Sequence, residues 1–284
     1  MATPKYLSGN KEAIQGFLDQ FDDFLFDCDG KRIVFVTNNS TKSRAEYKKK
    51  LDNMGIPCSV DEIFGSSYSA AIYISRILKP PAPRNKTFIL GEYGIEAELA
   101  SESLPYTGGT DPSLRRDMTP ADYTAIASGD ALDPEVGVVL CGLDFHINYL
   151  KLALAHAYLV RGATFLATNT DGTLPASGAF FPGAGSVSAP LVKALGGREP
   201  VALGKPSQAM MQAVEGKFHF DKSRTCMIGD RLNTDIQFGI EGGLGGTLAV
   251  LTGVCKRGDF EGKTEGVRPA AFVDRLADLL LVGE

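Results

Sequence analysis

The sequence predicts an α/β protein with mostly parallel sheets. Three observations predict it: short, nearly continuous apolar runs that stop at polar or glycine residues, segments of helical spacing between them, and one proline-rich interruption. Parallel strands covered on both faces read as continuous apolar runs rather than as alternating patterns. Residues 24–26, 33–36, 87–90, 137–140, 164–167, 201–203, 225–228 and 247–251 have that character. Residues 43–54, 67–78, 149–161, 187–195, 207–216 and 234–240 carry apolar positions at helical spacing and fill the gaps, which gives a β-α-β-α order. Pro80, Pro81 and Pro83, within residues 79–85, cannot sit inside a helix or a central strand and mark a domain edge. Residues 105–133, rich in Gly, Pro, Asp and Ser, read as a long surface loop or two short helices.

The composition excludes several classes. At 284 residues and 44% hydrophobic, the chain is long enough for one large domain or two ordinary ones with buried cores. No apolar run approaches the ~18 to 20 residues of a membrane helix. The opening Met1 to Lys5 lacks the order of a secretory signal, so the expected location is cytoplasmic. With 29 basic against 34 acidic residues and a net charge of -5, no positive field draws the chain to nucleic acid. The five cysteines are odd in number, far apart and never in a C-x-x-C pair, which argues against a disulfide framework and a zinc knuckle. The three histidines have no ligand spacing.

In open parallel sheets, ligands bind at the carboxyl ends of the strands. Four predicted strands end in chemistry-bearing residues: Asp27-Cys28-Asp29-Gly30, Thr37-Asn38-Asn39-Ser40, Lys205-Pro206-Ser207, and Gly229-Asp230 running on to Asp235. Taken singly, each reads equally as a turn, a helix cap or a surface lysine. Their conjunction suits phosphate-monoester hydrolysis through a covalent aspartyl intermediate, where neutralising charge is most of the task. In that reading Asp27 is the nucleophile, and Asp29 protonates the leaving oxygen and then activates water. Thr37, Asn38 and Lys205 hold the phosphoryl oxygens. A hard divalent cation, Mg2+, cancels the repulsion between carboxylate and phosphate, with Asp27, Asp29, Asp230 and Asp235 as candidate ligands.

FLFDCDG, VFVTNNSTKSR, LGKPS, MIGDRLNTDI and the later LTGV together resemble the haloacid-dehalogenase-superfamily phosphatases, in particular the eukaryotic 4-nitrophenylphosphatase, phosphoglycolate phosphatase and pyridoxal phosphatase group. The resemblance covers nearly the whole chain. It implies a Rossmann-like parallel-sheet core, residues 1–84 and 200–284, with an inserted α/β cap at 85–199 that supplies substrate contacts. The expected substrates are 2-phosphoglycolate and 4-nitrophenyl phosphate, with pyridoxal phosphate as the alternative, and homodimerisation through the cap is expected. Residues 167–172 and 182–186 are the cap segments to watch. Gly183-x-Gly185 is half a dinucleotide fingerprint with Ser188 where the third glycine belongs, so nucleotide binding is not expected.

One departure bears on activity. Relatives place a flap and a crossover helix after the D-x-D-G motif, whereas here Lys31-Arg32-Ile33 follow Gly30 at once. Three residues reach only about 11 Å, too little to retrace a strand of roughly 17 Å. The sequence therefore predicts that Asp27 and Thr37 do not both occupy their places over an unbroken pair of parallel strands. A catalytically impaired relative is the alternative to an active enzyme.

Overall fold

The computed structural model describes residues 3–25, 32–263 and 265–282. Asp27 and Asp29 lie outside the described residues. The chain divides into two compact units, Met1–Val36 with Lys205–Glu284, and Thr37–Gly204.

The first unit is built on a six-stranded sheet in the order Lys5–Tyr6, Ala271–Val273, Gly246–Val250, Thr225–Gly229, Asp23–Leu25, Arg32–Ile33, with all neighbours parallel. Cys226, Met227, Ile228, Leu248 and Ala249 are all buried, which is why these strands read as unbroken apolar runs. The helix Lys11–Leu18 was not foreseen. It starts at Asn10, whose side chain accepts the Ala13 N–H at 3.0 Å, and it buries Ile14 and Phe17. Phe17, Phe21 and Phe24 meet edge to face, with centroids 5.2 and 6.1 Å apart. Successive strand residues point to opposite faces, so Ala249 and Phe272 join Ile236, Cys255 and Phe260 in a separate cluster on the other side.

The second unit has a five-stranded parallel sheet, in the order Val201–Ala202, Thr164–Ala167, Val136–Cys141, Lys86–Leu90, Tyr106–Gly108. The helices Tyr149–Val160 and Ala184–Ala194 cover Val139, Cys141, Phe165 and Ala167. In the first of these, Leu150, Leu154 and Ala155 pack inward while Tyr149 stays exposed. Lys151 is fully buried, its Nζ donating to Asp144 at 2.8 Å and to the Gly109 carbonyl at 2.9 Å. The 105–133 stretch resolves into the strand Tyr106–Gly108 and the helix Pro120–Ser128. An antiparallel hairpin, Thr173–Ala176 with Ala179–Pro182, follows the Thr164–Ala167 strand.

Residues 37–84 and 200–204 cluster with residues 85–199 because the helix Tyr93–Ser101 grips the segment after Thr37. A Cβ on Gly94 would overlap the backbone of Lys42 and Ser40, so only glycine allows this approach. Glu98 accepts the Arg44 N–H at 2.7 Å and the Arg44 Nε at 2.9 Å. Ser75 and Arg76 both donate to Glu102.

Asp23–Leu25 and Arg32–Ile33 do pair parallel, with Asp23 opposite Arg32 and Phe24 opposite Ile33. These are the pairs among the described residues, and residues 26–31, which join the two strands, lie outside them. Continuity is nevertheless lost. The predicted 33–36 strand breaks at Val34, whose N–H still reaches the Phe24 carbonyl, and Phe35–Thr37 belongs to a separate two-stranded sheet with Ile63–Gly65.

Candidate active site

In the first unit, the Thr225–Gly229 strand delivers Asp230 at its carboxyl end, and the wide turns of Leu232–Ile236 return Asp235 beside it. A Cβ on Gly229 would overlap the Asp235 side chain, so the glycine is what lets the carboxylate come in. Asp235 is buried, and its Oδ2 accepts the Asp230 and Arg231 N–H groups, both at 3.1 Å. Its Oδ1 accepts Lys205 Nζ at 2.6 Å. Lys205 also donates to the Val36 carbonyl at 2.8 Å, and its side chain is only 9% exposed. The ammonium is therefore pinned where the Lys205 motif, the Asp235 turn and the strand end at Val36 meet.

Asp230 is held differently. Its Oδ2 accepts the Val254 N–H at 2.8 Å, and its backbone carbonyl accepts the Cys255 N–H at 2.8 Å. A Cβ on Gly253 would overlap the Asp230 carboxylate, so the LTGV segment cradles that side chain by omitting a side chain of its own. Oδ1 of Asp230 receives no hydrogen bond from the described residues. Burial, with the carboxylates of Asp230, Asp259 and Asp235 nearby, pushes the Cys255 thiol up to about 11, which keeps it neutral.

The second unit carries Thr37 and Asn38. Thr37 Oγ1 accepts the Asn39 N–H at 3.2 Å and lies 3.3 Å from Tyr47 Oη; burial raises the pKa of that phenol, and the Thr37 contact partly offsets the rise. Asn39 Oδ1 accepts both the N–H and the hydroxyl of Thr41, at 2.9 and 2.8 Å, which folds the loop into a tight turn. The helix Arg44–Asn53 then starts at Ser43 in a reciprocal cap with Glu46. The Asn38 carbonyl accepts Ser66 Oγ at 2.8 Å and Asn169 Nδ2 at 2.7 Å, and the Asn38 side chain donates to Asp171 at 3.1 Å.

The structure thus brings Lys205, Asp230 and Asp235 together in the first unit. Thr37 and Asn38 lie in a second polar cluster with Ser66, Asn169 and Asp171. Asn169 and Asp171 fall in the 167–172 segment singled out from the sequence, whereas Ser66 and Glu98 escaped the sequence reading; the glycines at 94, 229 and 253 make room for the Ser40–Lys42 backbone, Asp235 and Asp230. Gly183 and Gly185 also find their reason: a Cβ on either would overlap the Asp171 or Thr170 carbonyl. Their bare faces serve this packing.

The fit to a hard cation rests on Asp230, whose carboxylate is oriented by a backbone N–H on one oxygen while the other accepts none from the described residues. Both Asp235 oxygens accept N–H groups. Among the described residues, no group of three or more His, Cys, Asp and Glu forms a metal site by itself. The remaining candidate ligands, Asp27 and Asp29, lie outside them. Oxygen donors of this kind suit magnesium.

Comparison with known proteins places the chain. Residues 6–104 match the family model of haloacid dehalogenase-like hydrolases, and residues 202–279 match an HAD-hydrolase-like model. A 4-nitrophenylphosphatase of Schizosaccharomyces pombe is 45% identical over 97% of this chain and 98% of its own length. Phosphoglycolate phosphatase 1A of Arabidopsis thaliana is 35% identical over 98% of this chain and 82% of its own. Among solved structures, a glycerol phosphate phosphatase of Mycobacterium tuberculosis in complex with magnesium superposes with a TM-score of 0.74 at 27% identity, over 92% of this chain and 77% of that one. The chain belongs to the haloacid dehalogenase-like hydrolases. Within them it falls in the phosphatase group of these relatives and is a phosphoric monoester hydrolase. The alignment with the S. pombe enzyme spans 299 positions against the 284 residues of this chain, so at no fewer than 15 of them the relative has a residue and this chain has none.

Among the described residues, no helix is long and apolar enough to cross a membrane. Cys58, Cys141, Cys226 and Cys255 are thiols, not disulfides.

Proposed function

We propose that this chain hydrolyses small phosphate monoesters such as 2-phosphoglycolate and 4-nitrophenyl phosphate, with Asp27 as nucleophile. The observation that carries the reading is the set of Lys205, Asp230 and Asp235 at the carboxyl end of the central parallel strand. There an ammonium and a backbone-oriented carboxylate are held by residues far apart in sequence.

In this mechanism an Asp27 oxygen attacks phosphorus and the ester P–O bond breaks. Asp29 donates its proton to the leaving oxygen. The Asp29 carboxylate then takes a proton from water as that water attacks the phosphorus of the aspartyl-phosphate, which releases inorganic phosphate and restores Asp27. Lys205, held by Asp235 and the Val36 carbonyl, offers its positive charge to the phosphoryl oxygens. Thr37 and Asn38 orient the same group. Asp235 positions Lys205 and the backbone of Asp230 and Arg231. Asp230, with Asp27, Asp29 and Asp235, would hold a magnesium ion, which would supply the charge that offsets carboxylate–phosphate repulsion.

Residues 85–199 are proposed as the inserted cap, with a homodimer formed through it. Exposed Phe145, Ile147, Tyr149, Phe180 and Phe181, beside an apolar cleft of about 580 Å³, support that association. A cytoplasmic location is proposed on the odd number and wide spacing of the five cysteines. A panel of 2-phosphoglycolate, glycerol 3-phosphate, pyridoxal phosphate and 4-nitrophenyl phosphate tests the substrate class. Turnover of 2-phosphoglycolate is the expected result, and preference for pyridoxal phosphate would replace this reading with the alternative one.

A further inference from the structure

Asn38 is held by groups that lie more than 130 residues away in sequence. Its carboxamide Nδ2 donates to Asp171 Oδ2 at 3.1 Å, and its carbonyl accepts Asn169 Nδ2 at 2.7 Å. Asn169, which is 4% exposed, works in both directions, because its Oδ1 also accepts the Asp171 N–H at 3.1 Å. Asp171 is fixed from behind as well. Its carbonyl accepts the Gly185 N–H at 2.9 Å, and the next carbonyl, of Gly172, accepts the Gly183 N–H at 2.9 Å. The bare faces of Gly183 and Gly185 let the 170–171 backbone seat directly on the start of the helix Ala184–Ala194. On the far side of the contact, Asn38 Oδ1 lies 2.6 Å from where a Cβ on Gly204 would sit, so that oxygen has room only because position 204 is glycine.

We propose that Asp171 is a positioning residue: its carboxylate holds the Asn38 carboxamide in one of its two flip states and so fixes the course of the Thr37–Ser40 loop. The proposal rests on the phosphatase reading, in which that loop binds the phosphoryl group. An amide facing water or another amide satisfies its bonds in either orientation. A carboxylate accepts from Nδ2 and repels Oδ1, so only one orientation is bound, and the charge strengthens the hydrogen bond that selects it. The brace from Asn169 and the two glycines keeps the carboxylate from following a displaced loop.

The test uses the full chain and two readouts. In proton-exchange NMR of asparagine side chains, the Asn38 amide protons are protected in the parent, and Asp171→Ala speeds their exchange by about tenfold or more. With 4-nitrophenyl phosphate and magnesium, Asp171→Ala lowers kcat by about tenfold to a hundredfold, because a small displacement of a positioned group is costly in the transition state, while KM moves far less. Asp171→Asn keeps the shape but presents an amide that satisfies the Asn38 carboxamide in either orientation, so its Asn38 exchange rises and its kcat falls nearly as far as in Asp171→Ala. Parent-like Asn38 exchange in Asp171→Ala, or parent-like exchange and kcat in Asp171→Asn, would overturn the proposal. A parent chain without turnover would remove the phosphatase reading, and the exchange measurement would still decide the role of Asp171.

Discussion

Glu98→Ala is the change that tests most directly how the segment after Thr37 is held. The Glu98 carboxylate, 3% exposed, accepts the backbone N–H and the Nε of Arg44 at 2.7 and 2.9 Å, and the Arg44 guanidinium lies 3.4 Å from the centre of the Tyr68 ring. Breaking a buried ion pair by removing one partner costs about 3–5 kcal/mol, because the remaining charge is left without compensation. The Arg44 side chain keeps 15% exposure, so water recovers part of this, and the expected loss is about 2–4 kcal/mol. Glu98→Gln keeps the volume and one acceptor for the Arg44 N–H, and loses about 1–2 kcal/mol. Replacing both partners with methionine removes the stranded charge and recovers a large share of the loss. The chain has no tryptophan, so urea unfolding followed by far-UV circular dichroism is the suitable assay. A Glu98→Ala variant within about 0.5 kcal/mol of the parent would refute the claim that this pair anchors the segment.

Three further outcomes are expected. Gly253→Ala places a methyl on the Asp230 carboxylate and should lower kcat about tenfold or more with the circular dichroism spectrum unchanged; parent-like turnover would contradict the placement of Asp230. Burial, with Asp144 nearby, pushes the Cys141 thiol above its ordinary range, so the folded state holds this proton more tightly than the unfolded state. The associated stability is fully present below the unfolded thiol value of about 8.5 and is lost above it, by up to about 1.4 kcal/mol per pH unit; Cys141→Ala should flatten the alkaline slope of the unfolding free energy, and an unchanged slope would contradict this. Sedimentation at micromolar concentration should give a dimer of the 30.3 kDa chain that Phe145→Ser and Phe181→Ser weaken, and a monomer would contradict association through the cap.

The parts of the fold that were legible are those whose physics is local. The runs at 164–167 and 225–228 form strands at those positions because both faces are buried and every residue is apolar or small. Short edge strands such as Lys5–Tyr6 carry no periodicity to read, and the Thr173–Pro182 hairpin is exposed on most positions, so its apolar residues do not alternate with burial. Its only signal was Ser177-Gly178, both at positive φ in the two-residue turn. The helix Tyr93–Ser101 was hidden because Glu96 and Glu98 sit on its buried side. Thr119, Pro120 and Asp122 form a readable helix start, and the helix they open is one of the short helices expected as an alternative within 105–133. In the site, Lys205, Asp230 and Asp235 were legible because each follows an apolar strand. Glu98 and Ser66 were not, because what they do depends on partners 54 and 28 residues away. The strand-reach expectation turns on residues 26–31, which lie outside the described residues; beside them Asp23–Phe24 and Arg32–Ile33 pair parallel and the strand breaks at Val34.

The measurement closest to the central claim is release of 4-nitrophenol from 4-nitrophenyl phosphate by the purified 284-residue chain, with and without magnesium, beside its Asp27→Asn variant. Magnesium-dependent turnover that vanishes in the variant, with the circular dichroism spectrum retained, is the expected result. Turnover that survives Asp27→Asn would contradict the aspartyl mechanism, and a folded parent chain with no turnover at all would contradict the assignment of catalysis to this short form.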